Sequence, residues 1–229
     1  MLAQLAEQIP RFFSYYNLLF LAEATLITIA LTIAGCLCGF VVGFGIAVLR
    51  TLRIGVLWPV RALGTLWVEL FRRIPFLVTL FLVFYAFQAG RLDASVFWVG
   101  VASMCIIGAA FLSEVVRSGF ESIPRQEWEA AEAMNFTRWQ TLYLVVIPQS
   151  WKVIVPPTFA FFLSFIKDSA LASQIGIAEL TYAGTVLVNK GFSPVLGFGS
   201  ILLIYFAISY PLTRIGRSLE VRIALSRDQ

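Results

Sequence analysis

The stretch ATLITIALTIAGCLCGFVVGFGIAVL, Ala24 to Leu49, decides the fold: it holds 26 residues and no charge. A helix needs roughly 20 apolar residues to cross a hydrocarbon core about 30 Å thick. Two more uncharged runs follow, Ala94 to Ser113 and Gly191 to Thr213. Mean hydropathy is +0.86, with 59% hydrophobic and 13% charged residues, which excludes an ordinary soluble domain. The chain reads as an all-α membrane protein. With 229 residues and several spans, no room is left for a separate soluble domain. The expectation is therefore one transmembrane domain over residues 1–229.

Working outward, residues 1–20 read as an amphipathic lead-in. Phe12, Phe13, Tyr15 and Tyr16 suit an interfacial belt. This lead-in is no clean signal peptide: it has Glu7, no basic start, and an apolar run after it that exceeds a signal core. The first span is placed at about 22–49, ending at Arg50 and Arg53. Residues 54–73 interleave Trp58, Leu63, Leu66, Trp67 and Leu70 with Arg61, Glu69, Arg72 and Arg73. Charges in hydrocarbon cost a few kcal/mol each, so most of this stretch is placed along the surface. It leads into a second span at 74–90, with Pro75 near its start. The third span is 94–116, the fourth an interrupted 153–170 with Pro156 and Pro157, and the fifth 191–213. Residues 171–190 are mixed. If 54–73 also crossed, there would be six spans and the parity would change.

Basic residues set the orientation. One cluster is Arg50, Arg53, Arg61, Arg72 and Arg73, another Arg117, Arg125, Arg138 and Lys152, and a third the tail with Arg214, Arg217, Arg222 and Arg227. Five spans with the N-terminus outside put all three in the cytoplasm. The net charge of +4 therefore marks topology and not nucleic-acid binding. Cys36, Cys38 and Cys105 lie inside apolar runs and read as packing residues. With no histidine in the chain, the commonest general base and metal ligand is missing. No catalytic or metal site is expected. No glycine-rich phosphate loop ending in Gly-Lys-Ser or Gly-Lys-Thr is present, so an ATP site of that kind is not expected here.

The polar loop 117–152 interrupts the hydropathy. Trp128, Ala131, Ala133, Met134 and Phe136 alternate at helical spacing with Glu127, Glu129 and Glu132. Pro124 suits a helix start, and early glutamates suit the helix dipole. The pattern predicts a short amphipathic helix over 125–134 and a second piece at 137–144. Such a helix either lies at the membrane interface or docks a cytoplasmic partner. Periodicity alone does not separate the two.

Several separated motifs carry a resemblance. They are Glu69-Leu70-Phe71-Arg72-Arg73-Ile74-Pro75, Glu114-Val115-Val116-Arg117, Ser122-Ile123-Pro124, Trp128-Glu129-Ala130-Ala131 and Arg138-Trp139-Gln140-Thr141. Asn135, Val145, Ile147, Pro148-Gln149, Pro156-Pro157, Lys167-Asp168-Ser169 and Ile175-Gly176 follow in order. Over about residues 20–220 the chain resembles permease subunits of binding-protein-dependent ABC importers. The likeness narrows to the polar amino acid permeases of the histidine, glutamine and glutamate family. The resemblance implies the type I ABC importer permease fold, five transmembrane helices with a cytoplasmic coupling helix, in a bacterial inner membrane. It implies three partners: a cytoplasmic ABC ATPase dimer that holds ATP and Mg2+, a second permease, homologous or identical, and an extracytoplasmic amino acid binding protein. It also assigns the coupling contact to Glu129, Ala130, Ala131, Asn135 and Pro148. Asparagine stands at 135 where the family usually has glycine, and Arg73-Ile74 replaces its usual Gly-Thr.

The charges at membrane depth are the other candidates. Glu69 and Arg72, three apart, could pair on one helix face, and Glu114 with Arg117 repeats the spacing. A pairing across spans would lower the cost of burying either. Lys167 and Asp168 are neighbours that face apart in a helix, and either could hold the amino or carboxylate group of a substrate or serve the fold. Glu179 is open in the same way. The proline pair reads either as a broken helix beside a polar route or as a helix beginning just after it. Two rival functions remain: an ion-coupled secondary transporter, and a purely structural membrane subunit.

Overall fold

The computed structural model describes residues 2–52 and 55–225. Arg53 and Arg227 lie outside the described residues, as does the side chain of Arg222. Among the described residues every regular element is helical, as the apolar runs require. The helices are α1 (Leu2–Phe12), α2 (Tyr15–Thr51), α3 (Trp58–Phe71), α4 (Phe76–Ala89) and α5 (Val96–Glu121). Then come α6 (Arg125–Ala133), α7 (Arg138–Thr141), α8 (Ile147–Asp168), α9 (Leu180–Asn189) and α10 (Pro194–Leu225). Among the described residues four stretches are long and apolar enough to cross a membrane, five when α3 and α4 count as one span bent by 118°.

The spine of the bundle is α2 against α5, and small residues build it. A Cβ added at Gly39 would lie 2.9 Å from Gly108 Cα, and one at Gly43 would lie 2.8 Å from the Ala109 carbonyl oxygen. Without a hydrophobic drive between helices in lipid, such close backbone packing supplies the association. The contacts run Gly35 to Met104, Gly39 to Gly108, and Gly43 to Ala109 and Ser113, so the two helices are parallel. The chain must therefore cross back between Thr51 and Val96. α4 makes that crossing. α3 lies across α2 and α5 at one depth, with Gly64 over Ile46 at one end and Arg72 against Phe111 and Glu114 at the other. Residues 58–71 thus rest near one face of the bundle, and the six-span alternative falls away.

Beyond the hairpin of α6 and α7, α8 runs antiparallel to α5, with Ile154 against Gly119 and Phe165 near Gly108. Both Pro156 and Pro157 sit inside α8, which starts at Ile147. This corrects the fourth span twice: the helix neither breaks at the prolines nor waits for them. Two missing N–H groups remove two bonds of the ladder, and the turns on either side still hold the helix. The break comes later. Ser169–Ile175 tighten into a 3-10 turn and Gly176 takes φ +87°, open to glycine without strain. The mixed stretch 171–190 is therefore largely helical. α9 continues in the direction of α8, from Leu180 beside Thr28 to Lys190 over the Phe20 ring. α10 returns along it, with Gly197 against Val188 and Gly216 against Phe159. α2 begins at one end of the bundle and α10 finishes at the other. The three cysteines are free, with Cys36 buried.

Candidate coupling surface and translocation groove

The loop helix is built by local signals. Pro124 precedes α6 and Glu127 lies in its first turn, where the dipole favours a negative charge. Arg125 and Glu129 pair at 2.8 Å, four residues apart. The helix ends in a Schellman turn: Phe136 N–H donates to Ala131 O at 3.0 Å and Asn135 N–H to Glu132 O at 2.9 Å. Asn135 takes the left-handed conformation, φ +61°. Thr137 and Gln140 then form a capping box that starts α7. A π-helical turn over Leu142–Val146 joins α7 to α8. The second helical piece is thus one turn of α-helix followed by a π turn, where the periodicity predicts 137–144.

The faces of α6 divide sharply. Ala131 is buried, 1% exposed, and Trp128 is half-buried against the cluster of Ala47, Val48, Phe120 and Val146. Glu129, Ala130, Glu132 and Ala133 are exposed. Gln149 reaches back from the start of α8 to Glu127 at 3.4 Å, and the exposed Pro148 stands beside it. Small Ala131 lets α6 sit tightly on the bundle, and Glu129 with Ala130 points away from it.

Above this hairpin the charges converge on Glu114. Arg50 Nη1 of α2 donates to its Oε1 at 2.5 Å. Arg117 Nη2 of α5 donates to its Oε2 at 2.9 Å, and Arg72 Nη1 lies 3.7 Å from the same oxygen. Arg117 also pairs with Glu121. Glu114 and Arg50 are only 16% and 12% exposed, so each would be costly to bury without the other. One carboxylate therefore ties α2, the end of α3 and α5 together, about two helical turns before α5 ends at Glu121. The pairing expected between Glu69 and Arg72 is not formed. Glu69 bonds Arg73 at 2.6 Å, four residues on, because Arg72 turns inward to Glu114. Arg50 is the partner that sequence reading missed, being 64 positions from Glu114. Its signal was an arginine closing the first span.

From Arg72, Glu114 and Arg117 a groove of about 640 Å³ runs between α5 and α8, past Phe111, Pro157 and Phe161. A second cavity of about 410 Å³ shares Phe111, Phe161 and Ser164 with it and reaches Pro75, Phe76 and Asp168. The wall is aromatic: Phe111 and Phe161 stack at 5.6 Å, Phe161 and Phe165 meet at 4.4 Å, and Arg72 lies 5.7 Å from the Phe111 ring centre. Asp168 is half-buried at one end, the arginines at the other. Lys167 is exposed and does not line this groove. Glu179 is elsewhere and fully buried. It accepts from Tyr182 N–H at 2.8 Å, capping α9, and from the Tyr205 hydroxyl at 3.0 Å. That position caps α9 and ties it to α10 through Tyr205.

Residues 39–224 match the family model described as binding-protein-dependent transport system inner membrane component. The probable glutamine ABC transporter permease protein GlnP of Bacillus subtilis is 31% identical over 215 residues, covering 92% of this chain and 96% of the relative. The L-cystine transport system permease protein TcyB of the same organism is 31% identical, over 86% and 83% of the two chains. The glutamate/aspartate import permease protein GltJ of Escherichia coli is 30% identical, over 87% and 85%. Among solved structures, a crystal structure of an amino acid ABC transporter with histidines superposes with a TM-score of 0.82 at 24% identity, over 90% of this chain and 95% of that one. The inward-facing MetNI methionine ABC transporter superposes at 0.79 with 19% identity, over 92% and 99%. The chain thus belongs to the inner membrane components of binding-protein-dependent transport systems, beside the permease subunits of amino acid ABC importers.

Proposed function

We propose that this chain is half of the translocation pathway of an ATP-driven importer of polar amino acids. The whole of residues 1–229 acts as one permease domain in the inner membrane, N-terminus outside and C-terminus in the cytoplasm. A second permease faces the groove, an external binding protein delivers the amino acid, and a cytoplasmic ATPase dimer holds ATP and Mg2+. The exposed face of α6, Glu129 and Ala130, seats on the ATPase. Ala131 backs it from inside, while Asn135 and Pro148 shape the turns around it. Closure of the ATPases moves α6, and the Glu114 cluster passes that motion to α2, the end of α3 and α5 as one body. In the groove, the Asp168 carboxylate suits an ammonium group, and the arginine end, already satisfied by Glu114, lines the exit.

One observation carries this reading: α6 presents a small, charged face outward, while Trp128 and Ala131 fasten it beneath the ends of α2 and α5. The test is Ala130→Arg in the reconstituted assembly. Uptake and binding-protein-stimulated ATP hydrolysis should fall at least tenfold, with the subunits still copurifying when the contact is merely loosened. Normal uptake would overturn the assignment. Uptake that follows an ion gradient without ATP would establish the secondary-transporter rival instead.

A further inference from the structure

Apart from its C-terminal end, where Arg72 meets Glu114, α3 has no role in the scheme above. Its side chains Val60, Leu63, Leu66 and Leu70 are apolar and exposed, at spacings of three and four residues. Between α3 and α2 runs a groove of about 240 Å³. Its wall is apolar, formed by Ile46, Leu49, Val60, Leu63, Gly64 and Trp67, and two arginines, Arg50 and Arg61, close it. Arg50 is held by Glu114. The Arg61 guanidinium has no hydrogen bond or ion pair among the described residues, and the nearest acid on its helix face, Glu69, is held by Arg73. Trp67 carries a buried indole N–H that also finds no acceptor there. Trp58, 64% exposed, stands beside Arg61 in an adjoining hollow.

We infer that this groove holds one acyl chain of an anionic phospholipid, with the lipid phosphate on Arg61. An arginine without a protein partner at the edge of hydrocarbon calls for an anion, and basic pockets beside membrane helices take lipid headgroups. A free phosphate would satisfy Arg61 and leave the apolar groove unfilled. A partner helix would have to bring its own acid to Arg61, whereas an anionic lipid brings the charge and the apolar chain together. Trp58 lies where aromatic side chains meet headgroups. Phospholipid is the occupant that matches both the charge and the wall.

The experiment is native mass spectrometry of the purified, delipidated assembly titrated with phosphatidylglycerol. Matching titrations use phosphatidylcholine of the same chains and glycerol 3-phosphate. The wild type should retain one phosphatidylglycerol per permease more tightly than phosphatidylcholine, and glycerol 3-phosphate should not displace it. Arg61→Gln should weaken retention about tenfold, the loss of one charge-assisted contact. Arg61→Lys should keep it, which separates lost charge from misfolding. Gly64→Leu leaves Arg61 in place and fills the groove, where a Cβ meets only Ile46, at 3.4 Å. It should abolish retention of both lipids. Unchanged retention in Arg61→Gln or Gly64→Leu would overturn the inference. Displacement by glycerol 3-phosphate would reduce the site to a simple anion site and overturn it equally.

Discussion

Glu114 shows what a single side chain does when it sits between helices. Its two oxygens face three guanidinium groups from three parts of the chain. Glu114→Ala strands Arg50 in a site only 12% exposed, and a broken buried pair costs on the order of 3 kcal/mol. The thermal midpoint of the detergent-solubilised protein should fall by several degrees, and Glu114→Gln, which keeps one acceptor, should fall less. Asn135 is a second decisive residue. Its left-handed φ of +61° is tolerable for asparagine and costly for a branched side chain, by about 1–2 kcal/mol. Asn135→Val should lower that midpoint while Asn135→Gly retains it. Asn135→Val should also weaken ATPase copurification, since the Schellman turn sets the angle of α6 to α7.

At the scale of elements, α2 and α5 depend on having almost nothing between them. A Cβ at Gly39 would meet Gly108 backbone at 2.9 Å, where no flexible side chain can yield. Gly39→Val should therefore cost about 1–3 kcal/mol as overpacking, read as a lowered unfolding midpoint. Gly45, which has nothing within 4 Å, should accept alanine without loss in the same measurement. α9 depends on its cap. Glu179→Ala removes the acceptor for Tyr182 N–H and leaves the Tyr205 hydroxyl without its acid partner, at about 1–2 kcal/mol for the cap. Tyr205→Phe should cost less, because Glu179 keeps its backbone donor. A substrate role for Glu179 would reverse that order in an uptake assay: transport would collapse before stability did.

For the whole molecule, the parallel course of α2 and α5 makes the number of crossings odd, and that sets where α6 must stand. If α6 meets a cytoplasmic ATPase, a lone cysteine at Glu129 is labelled only from the inside, and one at Tyr15, 73% exposed, only from the outside. The reverse pattern in sealed vesicles would invert the proposed orientation and remove the coupling assignment with it. Asp168 and the Glu114 cluster lie at opposite ends of two adjoining cavities, so in the proposed scheme substrate and coupling motions would share α5 and α8. Asp168→Asn should lower substrate-stimulated uptake while basal ATP hydrolysis by the partner stays near its wild-type rate.

Hydropathy and turn chemistry are local properties, and they made most of this protein legible along its chain. The long apolar runs foretold α2, α5 and α10, and Pro124 with the early glutamates placed α6 within a residue of its observed end. Burial in lipid demands continuous apolar helices, so composition alone exposes them. Partnerships between distant residues were closed to that reading. The Arg50 pairing with Glu114, the turning of Arg72 away from Glu69, the passage of α8 through two prolines and the inward face of Ala131 were all decided by neighbouring helices. A side chain at membrane depth takes whichever opposite charge the packing brings near, because leaving it alone costs more than any local preference is worth.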